Sequence, residues 1–141
     1  MYKKIMVPVD LAEASSWEEA LPVAIELAQL SGGSISVVTV ITGLHVFLKG
    51  SSLPTEFVKL IEQAERTLAT IVAGNIPSEL AGKPLVKNGS ICREILQASR
   101  DEQVELIVMA AHPPGVSEYF LGPHAAHVVR HAKCSVLVVR Q

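Results

Sequence analysis

Apolar positions in this chain fall into two alternating patterns. Short blocks rich in β-branched and aliphatic residues occur at Lys3–Val9, Ser34–Ile41, Leu106–Ala111 and Ser135–Val139. They are too short for helices and are bounded by turn residues, so they predict buried strands. Pro84–Lys87 is a weaker block whose proline and low apolar content suit the edge of a sheet. Between the blocks the spacing changes to that of a helix. Ala20, Leu21, Ala24, Leu27 and Ala28 form one apolar face, which Gly32-Gly33 ends. Ser15 or Ser16 is placed to cap this helix, each with a glutamate three residues on, Glu18 or Glu19. Pro22 either kinks the helix early or marks its true first turn. A second stripe, Phe57, Ile61, Ala64, Leu68, Ile71 and Val72, follows a start at Pro54 or Thr55. A third helix carries Ile91, Ile95 and Ala98 behind a Ser90 cap, and a fourth runs from about Gly122 to Ala132. Thr42–Leu53 and His112–Leu121 show no period and read as loops.

The resulting order, β-α-β-α-β-α-β-α-β, predicts one α/β domain over residues 1–141. Its parallel sheet would have helices on both faces, a three-layer α/β/α architecture of the Rossmann-like kind. Ligands of such sheets sit beyond the carboxyl ends of the strands, where the strand order reverses. No internal repeat, low-complexity tract or second domain is visible.

Composition narrows the classes of partner. Of the 141 residues, 49% are hydrophobic and 18% charged, enough to build one core. The formal net charge of -2 and the lack of any basic run beyond Lys3-Lys4 argue against nucleic acid. The apolar stretch Ile5–Val9 is too short for a signal peptide or a membrane span, so the expected compartment is the cytoplasm. Cys92 and Cys134 fit that compartment as buried or half-buried thiols.

Few residues stand out as chemistry. Asp10 lies at the carboxyl end of the first strand. There a carboxylate can accept hydrogen bonds from a ribose or an amine, or simply from its own turn. The segment from Ala110 through His112, Pro113 and Gly115 to Gly122, Pro123 and His124 joins a buried strand to a helix N-terminus, a place suited to phosphate. It carries neither a Walker A lysine nor a G-x-G-x-x-G fingerprint. His112 sits at the strand end, where its ring could approach a phosphate. His124, His127 and His131 share one side of the last helix. The first and third are about 10 Å apart along the axis, too far to converge on one ion, so no metal site is expected. No G-x-S-x-G elbow is present, and Glu18/Glu19 and Asp101/Glu102 read as solvated helix ends. No catalytic residue is therefore assigned.

Several of these segments together resemble the universal stress protein family. They are Lys3-Lys4-Ile5-Met6-Val7-Pro8-Val9-Asp10, Val38-Thr39-Val40-Ile41, Lys87-Asn88-Gly89-Ser90 and the stretch from Leu121-Gly122 to Arg140. The likeness spans the chain and is most similar to the F/G-type branch. It implies a five-stranded parallel sheet of order 3-2-1-4-5, with the switch point between the first and fourth strands. It implies that Pro8, Val9 and Asp10 hold adenine and ribose, and that Val40 offers backbone groups to the adenine edge. By the same likeness, Met109, Ala110, His112, Pro113, Gly122, Pro123 and His124 line the nucleotide.

In the family the phosphates are cradled by a Gly-x-x-Gly-x9-Gly-Ser/Thr loop. Here Ala110, Pro113 and Pro123 replace the first glycine, the second glycine and the last hydroxyl residue. The spacer to Gly122 is one residue shorter. Each proline removes an N–H donor. The resemblance further implies a homodimer paired through the last strand, Val136, Leu137, Val138 and Val139. The function expected is an ATP-binding or related adenine-nucleotide-binding module of the stress response, with magnesium accompanying the nucleotide and protein partners unknown. Any hydrolysis or autophosphorylation would be slow. The alternative is a dimeric interaction protein whose altered loop has given up ATP.

Overall fold

The computed structural model describes residues 1–42, 54–111 and 122–140. Five strands, β1 (Lys4–Pro8), β2 (Ser34–Ile41), β3 (Leu85–Asn88), β4 (Leu106–Ala111) and β5 (Ser135–Arg140), form one sheet of order β3-β2-β1-β4-β5. All neighbouring pairs are parallel. The helices between them are α1 (Ser15–Glu18), α2 (Ala20–Ser31), α3 (Pro54–Asn75), α4 (Ile91–Asp101) and α5 (Gly122–His131).

Strand periodicity divides the core in two. Ile5, Val7 and Val9, with Ile35 and Val37 of β2 and Leu106, Val108 and Ala110 of β4, face α2 and α3. Met6, Val38, Val40, Ile107 and Met109 face α4 and α5, meeting Ile95, Ala125 and Val128. Because the three central strands are buried on both faces, their sequences read as nearly unbroken apolar runs. The long helix α3 buries only Ala64, Leu68 and Ile71 fully, with Phe57, Ile61 and Val72 half-buried. None of the helices searched is long and apolar enough to cross a membrane, among the described residues.

The start of the first helical region departs from the sequence expectation. Neither Ser15 nor Ser16 is an N-cap. Ala14 holds that position with no side-chain bond, and the first helix stops at Glu18 before α2 begins at Ala20. Pro22 accounts for the break: it has no N–H for the carbonyl of Glu18, so it is accommodated only in the first turn of a new helix. Ser16 instead turns inward and is fully buried. Ser90 does stand at the N-cap of α4 in extended conformation, but its hydroxyl makes no capping bond, and its carbonyl accepts the Glu94 N–H at 2.9 Å. β3 begins one residue later than expected, at Leu85, and is an edge strand as its composition suggested.

Gly32 ends α2 in the left-handed region at φ 70, and its N–H returns to the Ala28 carbonyl. Gly33 is needed for a different reason. A Cβ there would lie 2.6 Å from the Lys3 carbonyl oxygen, where β2 comes alongside β1.

Candidate functional site

The sheet opens at its carboxyl end because of one residue. β1 stays paired with β2 through Pro8↔Val38, and the Val9 N–H donates to the Val38 carbonyl at 2.8 Å. On its other side, pairing with β4 stops at Met6↔Ile107. The next rung would need an N–H from residue 8, and proline has none. β4 runs on to Ala111, now paired only with β5. A crevice therefore starts between β1 and β4, at the point where the strand order reverses.

Asp10 stands at the mouth of this crevice, half-buried. Its backbone N–H donates to Ser16 Oγ at 2.8 Å, and Ser16 Oγ in turn donates to the Glu13 carbonyl at 2.7 Å. Its Oδ1 accepts the Ala12 N–H at 3.0 Å. The carboxylate thus closes its own turn with one oxygen and directs the other away from that bond. Val40 has the same pleat parity as Val38, whose carbonyl faces β1. Its N–H and C=O therefore point to the β1 side, past the end of that strand. Thr39, only 3% exposed, donates its hydroxyl to the Val9 carbonyl at 3.0 Å and fixes where β1 leaves the sheet.

The structure gathers Pro8, Val9, Asp10, Val40 and Ala110 at one end of the sheet. The side chains of Pro8, Val9, Val40 and Ala110 are buried, and the Val9 N–H and carbonyl are taken by Val38 and Thr39, so Val40 is the one of the four whose backbone groups point past the end of β1. The Met109 side chain is fully buried in the core beneath α4 and α5. His112 and Pro113 lie outside the described residues. Gly122 and Pro123 form the first turn of α5.

His124 turns toward α4, where its Nδ1 lies 3.0 Å from Cys92 Sγ. Burial raises the thiol pKa of Cys92. Burial first, and the charge of His127 second, lowers that of His124. Both shifts favour the uncharged forms, so a neutral thiol faces a neutral ring. The rings of His127 and His131 meet at a tilt of 42°, with centroids 4.3 Å apart. Cys92 and Cys134 are both free thiols. Among the described residues no three His, Cys, Asp or Glu side chains are grouped to hold a metal. At the far edge of the sheet, β5 has no partner strand on its outer side among the described residues, and Leu137 is 38% exposed.

The sequence reading missed Ser16 as a turn anchor, Thr39 and the Cys92–His124 pair. A threonine inside the apolar run of β2 was the one available signal, since a buried hydroxyl must find a partner.

These features define a doubly wound α/β protein whose central strands part at the switch point of the sheet. Residues 1–140 match the universal stress protein family, and the chain belongs to that family. Universal stress protein G of Escherichia coli O157:H7 is 32% identical over 145 residues, covering 99% of this chain and 100% of that protein. Two solved structures share the fold. A universal stress protein from Archaeoglobus fulgidus in complex with dAMP is 23% identical, with TM-score 0.66, over 97% of each chain. A universal stress protein in complex with cAMP is 20% identical, with TM-score 0.61, over 99% of this chain and 97% of that one.

Proposed function

We propose that this protein is a nucleotide-responsive module of the stress response that binds an adenine nucleotide, ATP foremost, in the crevice between β1 and β4. The observation that carries the reading is the early parting of β1 from β4 at Pro8, with the Asp10 carboxylate and the outward backbone groups of Val40 at its rim. A purine edge is recognised by one N–H and one C=O on adjacent backbone, and a ribose by a carboxylate. That two proteins of the same fold were solved with adenine mononucleotides supports the same ligand class here.

The working form would be a cytoplasmic homodimer. The open outer edge of β5, bearing Val136, Leu137, Val138 and Val139, supports pairing across a two-fold axis, since an unpaired apolar edge invites another strand. Two free thiols accord with a reducing compartment. Magnesium would enter with a triphosphate rather than through a protein site.

A second reading is favoured by Pro113 and Pro123, which take two N–H donors out of the phosphate loop. Under it the protein keeps the dimer and acts through protein partners without ATP. Calorimetric titration with ATP, with and without magnesium and against GTP, separates the two. Saturable binding of ATP but not GTP upholds the nucleotide reading. Absence of heat up to about millimolar ATP, a binding energy near 4 kcal/mol, supports the second.

A further inference from the structure

A groove of about 600 Å³ runs between α4 and α5, on the helical face rather than at the crevice mouth. Its walls carry Arg93 and Arg100 from α4 and His124, His127 and His131 from α5, and among the described residues no carboxylate lines it. In a chain of formal net charge -2, two guanidinium groups facing one cavity, with the imidazoles of His127 and His131 opposite, are a local reversal of sign. Arg93 and Arg100 are seven residues apart, as are His124 and His131, so each wall presents basic groups over about 10 Å. Cys92 and Leu96 supply an uncharged floor.

We infer that the groove between α4 and α5 is an anion site for a linear oligophosphate, separate from the nucleotide crevice. A metal ion is the wrong sign for it. Two guanidinium groups repel a cation, and the Cys92 thiol and the His124 ring are already engaged with each other. A single small anion would meet one arginine and leave the other unserved. A chain of phosphate groups reaches both, and each guanidinium can bind phosphate in bidentate fashion. Arg100 is steadied for this by Gln97, whose Oε1 accepts its Nη2–H at 2.9 Å while Gln97 Nε2 donates to Asp101 at 2.8 Å.

The probe is inorganic tripolyphosphate titrated into the full chain, followed by calorimetry and by NMR of the histidine rings. Saturable binding that shifts the His127 and His131 ring signals is expected. Arg93 and Arg100 are both exposed, so the double variant Arg93→Gln/Arg100→Gln should keep its fold, checked by thermal melting. It should bind at least about tenfold more weakly, the loss of about 1.4 kcal/mol. Asp10→Ala, which alters the crevice, should bind tripolyphosphate as the parent does. Retained affinity in the double arginine variant, loss in Asp10→Ala, or no binding to the parent would each overturn the inference. Adding ATP to the Asp10→Ala protein identifies the source of the phosphate chain. Displacement of tripolyphosphate points to a nucleotide tail and its persistence to free polyphosphate, and both uphold the site.

Discussion

The hydroxyl of Thr39 lies 3.0 Å from the carbonyl oxygen of Val9 and donates to it, binding a side chain of β2 to the backbone just past β1. Val9 is fully buried and Thr39 nearly so. The bond therefore does two things: it satisfies a buried carbonyl, and it sets the direction in which the chain leaves for Asp10. Thr39→Val keeps the shape and deletes the donor. It should cost about 1–3 kcal/mol, the penalty of a buried polar group left without a partner. Urea unfolding should show a lower midpoint with an unchanged slope, and Thr39→Ser should recover most of the loss.

Asp10 tests the crevice directly. Asp10→Asn keeps an oxygen for the Ala12 N–H but removes the charge and one acceptor. On the proposed function, affinity for an adenine nucleotide should fall about ten- to a hundredfold, matching the roughly 1.5–3 kcal/mol of a charged hydrogen bond. Titration of parent and variant under the same salt decides it. Equal affinities would assign Asp10 to its turn alone.

Gly33 tests packing at the opposite end of the sheet. A methyl at this position would sit within 2.6–2.9 Å of three Lys3 backbone atoms. Backbone cannot rotate away as a side chain can, so Gly33→Ala should destabilise the protein by about 1–3 kcal/mol. Gly74→Ala, where a Cβ meets nothing within 4 Å, is the control and should be neutral or mildly stabilising.

The His124 ring has its pKa held below the ordinary histidine value by burial and by His127. The unfolded chain therefore takes up a proton on this ring at a higher pH than the folded chain does. Stability is present above that ordinary value and declines as the pH falls below it, toward the depressed folded value. Thermal melts across about pH 7.5 to about pH 5.5 should show a falling midpoint. His124→Asn, which keeps a hydrogen-bonding group beside the Cys92 thiol but cannot titrate, should flatten the dependence.

The dimer proposal rests on the outer edge of β5. Leu137→Lys should leave each protomer folded while placing a charge on that edge. Sedimentation should then show the parent as a dimer and the variant as a monomer. A parent that sediments as a monomer at all concentrations would remove the proposal.

The strands could be read because runs such as Val37–Val40 and Leu106–Met109 are buried on both faces and almost wholly apolar, whereas their order in the sheet followed from the family resemblance. The caps were misread because serine is equally at home capping a helix and bracing a turn. At Ser16 the choice was decided by the N–H of Asp10, six residues earlier. Asp10 was visible from its place at a strand end. The Thr39–Val9 and Cys92–His124 contacts span 30 and 32 residues, and although Thr39 stands out in its apolar run, nothing local in the sequence names either partner. His112 and Pro113 lie outside the described residues, so their part in the phosphate loop rests on the sequence alone.

The crevice owes its depth to an atom that proline lacks. Side chains lining a pocket can be exchanged one for another with small effect on its shape, but a missing amide hydrogen works like a stop on a zip. Replacing Pro8 by alanine would restore that hydrogen and let β1 and β4 close by one more rung. The floor would then move outward by about 3.3 Å, the rise of one strand residue. A ligand seated against it would be lifted out of reach of the groups on Val40. One imino acid in the sheet thus acts as the depth gauge of the whole cleft.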